Sequence, residues 1–183
     1  MLKKSKDVLD PQSWCGLNRP DKKETEVDAV IFGIPFDGGV SYRGGAAQAP
    51  EVLRANTKHS TPSTERLYYY DSFELLDAGD FVNEDRDALF AEVQAYVKTL
   101  VAQGVKFTMV GGDHSVTIPV ERGINDALNE EFGIIHIDAH MDLCDALEGD
   151  YLSRQYRPQS FGAGTCQLAG KSLFHRHPLH RAG

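Results

Sequence analysis

The stretch Val105-Lys-Phe-Thr-Met-Val-Gly-Gly-Asp-His-Ser115 joins a short apolar run to an abrupt polar ending. Residues 105–110 are rich in apolar and β-forming side chains, which indicates a strand. The Gly-Gly pair ends it, and Asp113, His114 and Ser115 then bring polar side chains to its carboxyl end. Sites in parallel sheets form at this end of the strands. The stretch therefore predicts both a strand of an α/β domain and a place for chemistry.

Helices are predicted on both sides of this strand. Residues 84–103 carry an apolar stripe at helical spacing, with Asn83 able to cap the helix and Gly104 able to end it. The stripe consists of Leu89, Phe90, Val93, Tyr96, Val97, Leu100 and Val101. A second helix is expected over residues 115–129, with Pro119 tolerated in its first turn.

Further strands are predicted at residues 27–35 and 132–138, and shorter ones at 67–70 and 73–77. Pro50 suits the first turn of a short helix that ends near Thr57. Because strands alternate with helices, we expect an α/β domain with a mainly parallel sheet.

The segment Asp138-Ala-His-Met-Asp142 follows the last predicted strand. Alternate side chains of an extended segment point the same way, so Asp138, His140 and Asp142 would share one face. With His114 from the other strand end, they form a candidate metal centre. Mixed Asp and His ligands suit Mn, Fe or Zn, and an oxygen-rich set favours Mn. Two such metals can activate a shared water for hydrolysis. The alternative is that the carboxylates are caps and His140 is a core histidine.

Composition excludes several classes of protein. The 183 residues are 41% hydrophobic and 25% charged, which is typical of one globular domain. The chain has no apolar run long enough for a membrane helix, and its start lacks the apolar region of a secretory signal. Cys15, Cys144 and Cys166 are widely spaced, which predicts reduced thiols in a cytoplasmic protein. The net charge of −8 argues against a nucleic-acid surface.

Three segments are distinguished along the chain. Residues 1–26 are polar and predicted to be an irregular N-terminal arm, and residues 27–150 hold the α/β pattern. Residues 151–183 contain no Asp or Glu but five Lys or Arg residues, and they lack a clear helical or strand period. We therefore expect this basic tail to be irregular.

Two of these motifs resemble the signatures of the ureohydrolases, the family of arginase, agmatinase, guanidinobutyrase and formiminoglutamase. They are Gly111-Gly-Asp-His-Ser115 and His136-Ile-Asp-Ala-His-Met-Asp142. Ile34-Pro-Phe-Asp-Gly-Gly-Val-Ser-Tyr-Arg43, Ala49-Pro-Glu-Val-Leu-Arg54 and Asp77-Ala-Gly-Asp80 resemble the agmatinase branch. The resemblance covers about residues 27–149.

The resemblance implies a three-layer α/β/α fold, arginase-like, with two Mn²⁺ ions. It implies a hydrolase of linear amidine C–N bonds, which converts a guanidino substrate such as agmatine or guanidinobutyrate to an amine and urea. His114 and Asp142 would bind one metal, His140 the other, and Asp138 both. Asp138 and Asp142 would thereby position the attacking hydroxide. Asp113 would orient the site from outside the ligand shell, and His136 is expected to have a structural role.

The chain also departs from the family pattern. Family members are much longer and carry a later strand that ends in Asp-x-Asp, whereas this chain has no Asp after Asp150. We expect a C-terminally truncated or frameshifted member with an incomplete fold, and an inactive remnant is one alternative. His175, His177 and His180 are candidate replacement ligands.

Other interpretations stay open at this point. A dinuclear phosphoesterase also uses Asp and His ligands, although no Gly-Asn-His motif is present. The loop after the first predicted strand places Asp37, Tyr42 and Arg43 near the site mouth, as substrate contacts or as a plain turn. No nucleic-acid or membrane partner is expected, while a homo-oligomer, a trimer or hexamer by resemblance, is possible.

Overall fold

A computed structural model describes residues 2–40, 42–128 and 130–139. This part of the chain contains four strands: β1 (Leu2–Lys3), β2 (Ala29–Gly33), β3 (Leu75–Phe81) and β4 (Phe107–Val110). The helices are α1 (Ser13–Gly16), α2 (Ala49–Thr57), α3 (Arg86–Ala102) and α4 (Thr117–Ala127). Short 3-10 turns occur at Glu24–Glu26, Ala46–Gln48 and His114–Val116.

The strands form one mixed, mostly parallel sheet in the order β1-β3-β2-β4. The central strand β2 is parallel to both β3 and β4, and the short β1 is antiparallel to β3. Gly33 pairs with Asp80 on one side and with Val110 on the other. The three parallel strands therefore reach their carboxyl ends at about the same level, which puts the loops that follow them along one edge.

Helices α3 and α4 cover one face of the sheet. Phe32 on β2 is fully buried, and its ring lies 5.4 Å from Tyr96 of α3 and 5.7 Å from Phe81 of β3. The two helices approach closely at Gly123, where a Cβ atom would lie 2.6 Å from the Gln94 carbonyl oxygen. Burial of this apolar cluster is the main stabilising contribution to the domain. Its buried members are Val30, Phe32, Ile34, Leu76, Ala78, Phe81, Leu89, Phe90, Val93, Val97, Leu100, Val116, Ile118 and Val120.

Helix α2 covers the opposite face through an ionic cluster. Arg54 is 1% exposed, and its guanidinium donates to Asp77 at 2.6 and 3.0 Å and to Asp80 at 2.9 Å. Trp14 Nε1 donates to Asp77 at 2.7 Å. Gly33 makes room for this cluster, since a Cβ there would lie 1.9 Å from an Asp80 carboxylate oxygen. With helices on both faces, the described part has three layers, and the predicted fold class is confirmed.

Several predicted elements are confirmed with small shifts. The strand at 27–35 forms as Ala29–Gly33, the helix from Pro50 forms as Ala49–Thr57, and the helix at 84–103 forms as Arg86–Ala102. Asp85, not Asn83, caps this last helix, because its carboxylate accepts the Ala88 amide at 2.7 Å. The helix predicted at 115–129 forms as a 3-10 turn followed by α4, with Pro119 in the first turn of α4.

Three predictions about strands and the N-terminus need correction. Residues 67–70 form only an isolated bridge between Ser63 and Tyr69, and the next strand begins at Leu75 rather than at Phe73. The N-terminal segment is not simply irregular, because β1 extends the sheet and Val8 and Asn18 are fully buried.

The strand predicted at 132–138 is absent. Residues 131–139 have no regular structure, and Ile135 and Ile137 are 91% and 93% exposed. A strand needs a neighbour that satisfies its backbone groups. Among the described residues, no neighbouring strand pairs with this run. Its apolar composition alone therefore does not produce a strand.

None of the helices in the described part of the chain combines the length and the apolar character that a bilayer-spanning helix needs.

Candidate metal centre

The loop after β4 is built around Asp113. Its carboxylate accepts the Ser115 amide at 2.9 Å and the Gly39 amide at 2.6 Å, and its own amide donates to the Phe36 carbonyl at 2.8 Å. The first contact caps the turn that carries His114. The other two join this turn to the loop after β2, so that the ends of two neighbouring strands are held together.

Gly112 makes this close approach possible. A Cβ atom at this position would lie 1.8 Å from the Phe36 carbonyl oxygen. Any side chain there would therefore force the two loops apart. The Gly-Gly pair does more than end β4, because it permits backbone contact between the loop that bears His114 and the loop after β2.

His114 lies beside Asp138 at this edge. Its Nδ1 atom is 3.2 Å from Asp138 Oδ2, with 40% and 29% of the two side chains exposed. The ring of His136 lies 5.1 Å from the ring of His114 at an angle of 61°. One ligand atom from each of these three residues falls within 4.8 Å of the other two. The two motifs, about twenty residues apart in sequence, thus meet in space.

Glu121 places a carboxyl group close to this cluster. Burial raises the pKa of its carboxyl above the ordinary value of 4.5, while the nearby His114 and His136 act in the opposite direction. A carboxylate from α4 therefore faces the same edge as the two imidazoles.

The loop after β2 holds the predicted substrate-side residues. Asp37 accepts the Gly45 amide at 2.7 Å, so its carboxylate helps to close the loop. Tyr42 is 84% exposed, and the Arg43 guanidinium lies 5.0 Å from the centre of its ring. A role of this loop in substrate binding stays a prediction.

The remaining predicted ligands lie outside the described residues. His140 and Asp142 belong to the segment after residue 139, and so do the candidate replacements His175, His177 and His180. Of the four predicted metal ligands, the structure therefore places His114 and Asp138, and it brings those two together.

The donor set present here fits a divalent transition metal. Imidazole nitrogen and carboxylate oxygen both coordinate Mn, Fe, Co and Zn. Accessible His114 and Asp138 side chains, a second imidazole and a nearby carboxyl group supply donor atoms of these types.

Comparison with known proteins decides the family. The family model described as "Arginase family" matches residues 27–156. This chain is an arginase-family protein. The match spans both motifs, the three parallel strands and helices α2, α3 and α4, so the family assignment rests on more than half of the chain.

Individual relatives differ in what they act on. The chain is 30% identical over 133 residues to proclavaminate amidinohydrolase of Streptomyces clavuligerus, covering 70% of this chain and 42% of the relative. It is 34% identical over 128 residues to agmatinase of Klebsiella pneumoniae, covering 65% and 40%. The crystal structure of Trypanosoma cruzi formiminoglutamase with Mn²⁺ superposes with a TM-score of 0.65 at 25% identity, covering 74% of this chain and 47% of that one.

This arginase-family chain thus spans about two fifths of the length of the curated relatives it matches. The similarity extends over the part that carries the first two motifs and no further than residue 156 in the family model. The activity of the complete relatives is therefore a proposal for this chain.

Two further residues near His114 and Asp138 are not predicted to be site residues by the sequence. The sequence predicts a structural role for His136, whereas in the structure its ring lies 5.1 Å from that of His114. Glu121 lies on a helix, where one carboxylate among many gives no signal.

Proposed function

We propose that this chain derives from, and retains part of, a metal-dependent hydrolase that cleaves a C–N bond of a guanidino or related amidine group. The observation that supports it best is the 3.2 Å approach of His114 to Asp138, which joins the two ureohydrolase motifs at one sheet edge. Substrates of the agmatine or guanidinobutyrate type are proposed because named relatives act on them. Manganese is proposed because formiminoglutamase contains it.

His114, Asp138, His140 and Asp142 are the proposed metal ligands. A bound divalent metal would supply Lewis-acid activation of water near neutral pH. Asp113 keeps His114 at the sheet edge by capping its turn and by holding the Gly39 amide. The carboxylates at this edge also attract a planar guanidinium cation, since opposite charges lower the cost of placing it beside the metal site. The cytoplasmic location and any homo-oligomer stay predictions.

Urea release tests this proposal. Purified chain incubated with Mn²⁺ and either agmatine or guanidinobutyrate should release urea, and His114→Ala should abolish the release. His59→Ala serves as the matched control, because His59 is exposed on the segment after α2. Metal content measured on the same samples shows whether one or two ions are bound.

The two alternatives give different results. Bound metal with no urea release from any guanidino compound would support the inactive remnant and contradict the proposed activity. Release of phosphate from a phosphoester would support the phosphoesterase instead, an alternative that the family assignment does not favour.

A further inference from the structure

We propose that the cavity between α3 and α4 binds a small organic anion, namely a carboxylate or phosphate group on a short apolar body. The cavity has a volume of about 360 Å³, at the lower end of the range for small-molecule pockets. The first half of each helix supplies its walls. Among the described residues that line it, none is a proposed metal ligand, so the inference goes beyond the proposed function.

Two guanidinium groups line the cavity, one from each helix. Arg86 lies on α3 and Arg122 on α4. Among the described residues, Arg122 forms no ion pair, so no protein carboxylate neutralises it directly. Asp87 is the one acidic residue among the described lining residues. Two arginines and one aspartate leave the walls with a net positive charge, which favours an anionic ligand.

The ion pair between Arg86 and Asp87 leaves part of the Arg86 guanidinium available. Its Nε atom and one terminal nitrogen donate to the same Asp87 oxygen at 3.2 and 3.0 Å. A guanidinium has five N–H donors, so the second terminal nitrogen keeps both of its protons for a ligand. The Asp87 side chain is 84% exposed, and ion pairs exposed to water contribute little to stability. An oxyanion in the cavity therefore competes mainly with water for Arg86.

An apolar surface lies beside these cations. Phe90 and Ile118 line the cavity, and each is 8% exposed. The Arg86 guanidinium carbon lies over the Phe90 ring, 5.6 Å from its centre, and this cation–π contact holds the charge next to the apolar surface. A ligand with an apolar body can cover Phe90 and Ile118 while its anionic group reaches the guanidinium groups. Inorganic phosphate would leave this surface in contact with water, so an organic anion fits better.

The two helices are joined beside the cavity. Gln94 Nε2 donates to the Asp126 carboxylate at 2.7 Å, which links α3 to α4. The helices also approach closely at Gly123, where a Cβ atom would lie 2.6 Å from the Gln94 carbonyl oxygen. These contacts fix the spacing of the two walls before any ligand binds. A preformed site lowers the conformational cost of binding.

Binding of benzoate and of phenyl phosphate to the full 183-residue chain tests the inference. The two probes share an aromatic body and differ in their oxyanion, so they show whether the site prefers a carboxylate or a phosphate. Calorimetric titration without added metal should show one site per chain for at least one of them. Benzamide, a neutral analogue of benzoate, and inorganic phosphate, which lacks the apolar body, should both bind more weakly.

Substitutions in the cavity should weaken binding in two independent ways. Arg122→Gln and Arg86→Gln should each weaken the better probe by about tenfold or more, because each removes a charged hydrogen-bond donor. Ala91→Leu keeps both cations but fills the cavity from an exposed position of α3, and should also weaken binding. Arg66→Gln, in the exposed loop before β3, is the matched control and should bind like the unmodified chain. Circular dichroism should show that all four variants are folded.

Several results would overturn the inference. One is the absence of binding of both probes to the unmodified chain, and another is equal affinity for benzamide and benzoate. Unchanged affinity in both Arg122→Gln and Arg86→Gln would place the probe elsewhere on the chain. Inorganic phosphate that binds as tightly as phenyl phosphate would indicate an adventitious ion only, and would contradict the role given to the apolar surface.

His114→Ala separates this inference from the proposed function. The variant removes a proposed metal ligand and should leave anion binding unchanged. Loss of probe binding in His114→Ala would place the probe at the metal centre and overturn the inference. Probe binding that depends on Arg122, in a chain that releases no urea, would support the cavity and contradict the hydrolase.

Discussion

Arg54 shows how a single charged residue can hold one layer of the fold in place. It is 1% exposed, and its partners Asp77 and Asp80 lie on β3 beneath α2. Burial acts to lower the pKa of the guanidinium, but the two carboxylates outweigh burial and raise it. The Arg54 guanidinium therefore stays charged, and the stability of the cluster depends on all partners being present.

Replacing Arg54 should destabilise the domain strongly. Arg54→Met leaves two carboxylates close together without a cation, and loss of one partner of a buried ion pair costs about 3–5 kcal/mol. Urea unfolding followed by circular dichroism measures the free energy of unfolding. Arg66→Met, in the exposed loop before β3, is the matched control and should change it by less than about 0.5 kcal/mol. Equal effects of the two substitutions would contradict the role given to Arg54.

Glu121 gives the domain a pH dependence of known sign. Burial raises the pKa of its carboxyl from 4.5 in the folded chain, so the folded state holds the proton more tightly than the unfolded state does. This contribution to stability is fully present below pH 4.5 and is lost as the pH rises through the folded-state pKa.

Glu121→Gln should therefore raise the thermal unfolding temperature at pH 7 relative to the unmodified chain, and should have little effect at pH 4. The measurement is a pair of melting curves at each pH, recorded without metal. Glu51→Gln, at an exposed position of α2, is the control and should leave the difference between the two pH values unchanged. An equal gain at both pH values would argue against a burial effect at Glu121.

At the scale of elements, α3 and α4 depend on a close contact at Gly123. A Cβ atom there would lie 2.6 Å from the Gln94 carbonyl oxygen and 2.7 Å from Val97 Cβ. Gly123→Ala should therefore push α4 away from α3 and destabilise the domain by about 1–3 kcal/mol, the usual cost of overpacking. Gly133→Ala is the control, because nothing lies within 4 Å of a Cβ at that position. Denaturant unfolding of both variants checks the prediction, and a stabilised Gly123→Ala would contradict it.

Elements were predictable from sequence where the signal is local. The stripe from Leu89 to Val101 predicts α3 because helical periodicity is contained in the segment itself. The strand expected at 132–138 failed because pairing depends on a neighbour elsewhere in the chain. The Arg54–Asp77 ion pair could not be predicted from sequence for the same reason, since 23 residues separate its members.

The candidate site was predictable to a similar extent. The sequence predicts that His114 and Asp138 lie at one edge of the sheet, and the structure places them 3.2 Å apart, although Asp138 follows irregular backbone rather than a strand. The extended-strand model for residues 132–138 was wrong, and it concealed the exposure of His136 and its contact with His114. The alternation of side chains along a strand does not apply to irregular backbone, so it cannot predict contacts made by such a segment.

At the scale of the whole molecule, the two most exposed large apolar side chains of the described residues lie near one sheet edge. Among the described residues, β4 is paired through β2 alone, and the nearby run 132–139 exposes Ile135 and Ile137 almost completely. Unpaired strand edges and exposed apolar side chains both promote association between copies of a chain. The arrangement predicts self-association of the purified chain, which is distinct from a specific oligomer because it requires no defined interface.

The double substitution Ile135→Thr and Ile137→Thr should reduce that self-association. Both side chains are more than 90% exposed, so their loss removes little folded-state packing and should change the free energy of unfolding by less than about 0.5 kcal/mol. Size-exclusion chromatography with light scattering should show a larger monomer fraction at equal concentration. Val82→Thr, a 49% exposed apolar residue after β3, should leave the fraction unchanged. If the double variant associates as strongly as the unmodified chain, the two isoleucines do not mediate the association. The unpaired edge of β4 would then be the surface to test next.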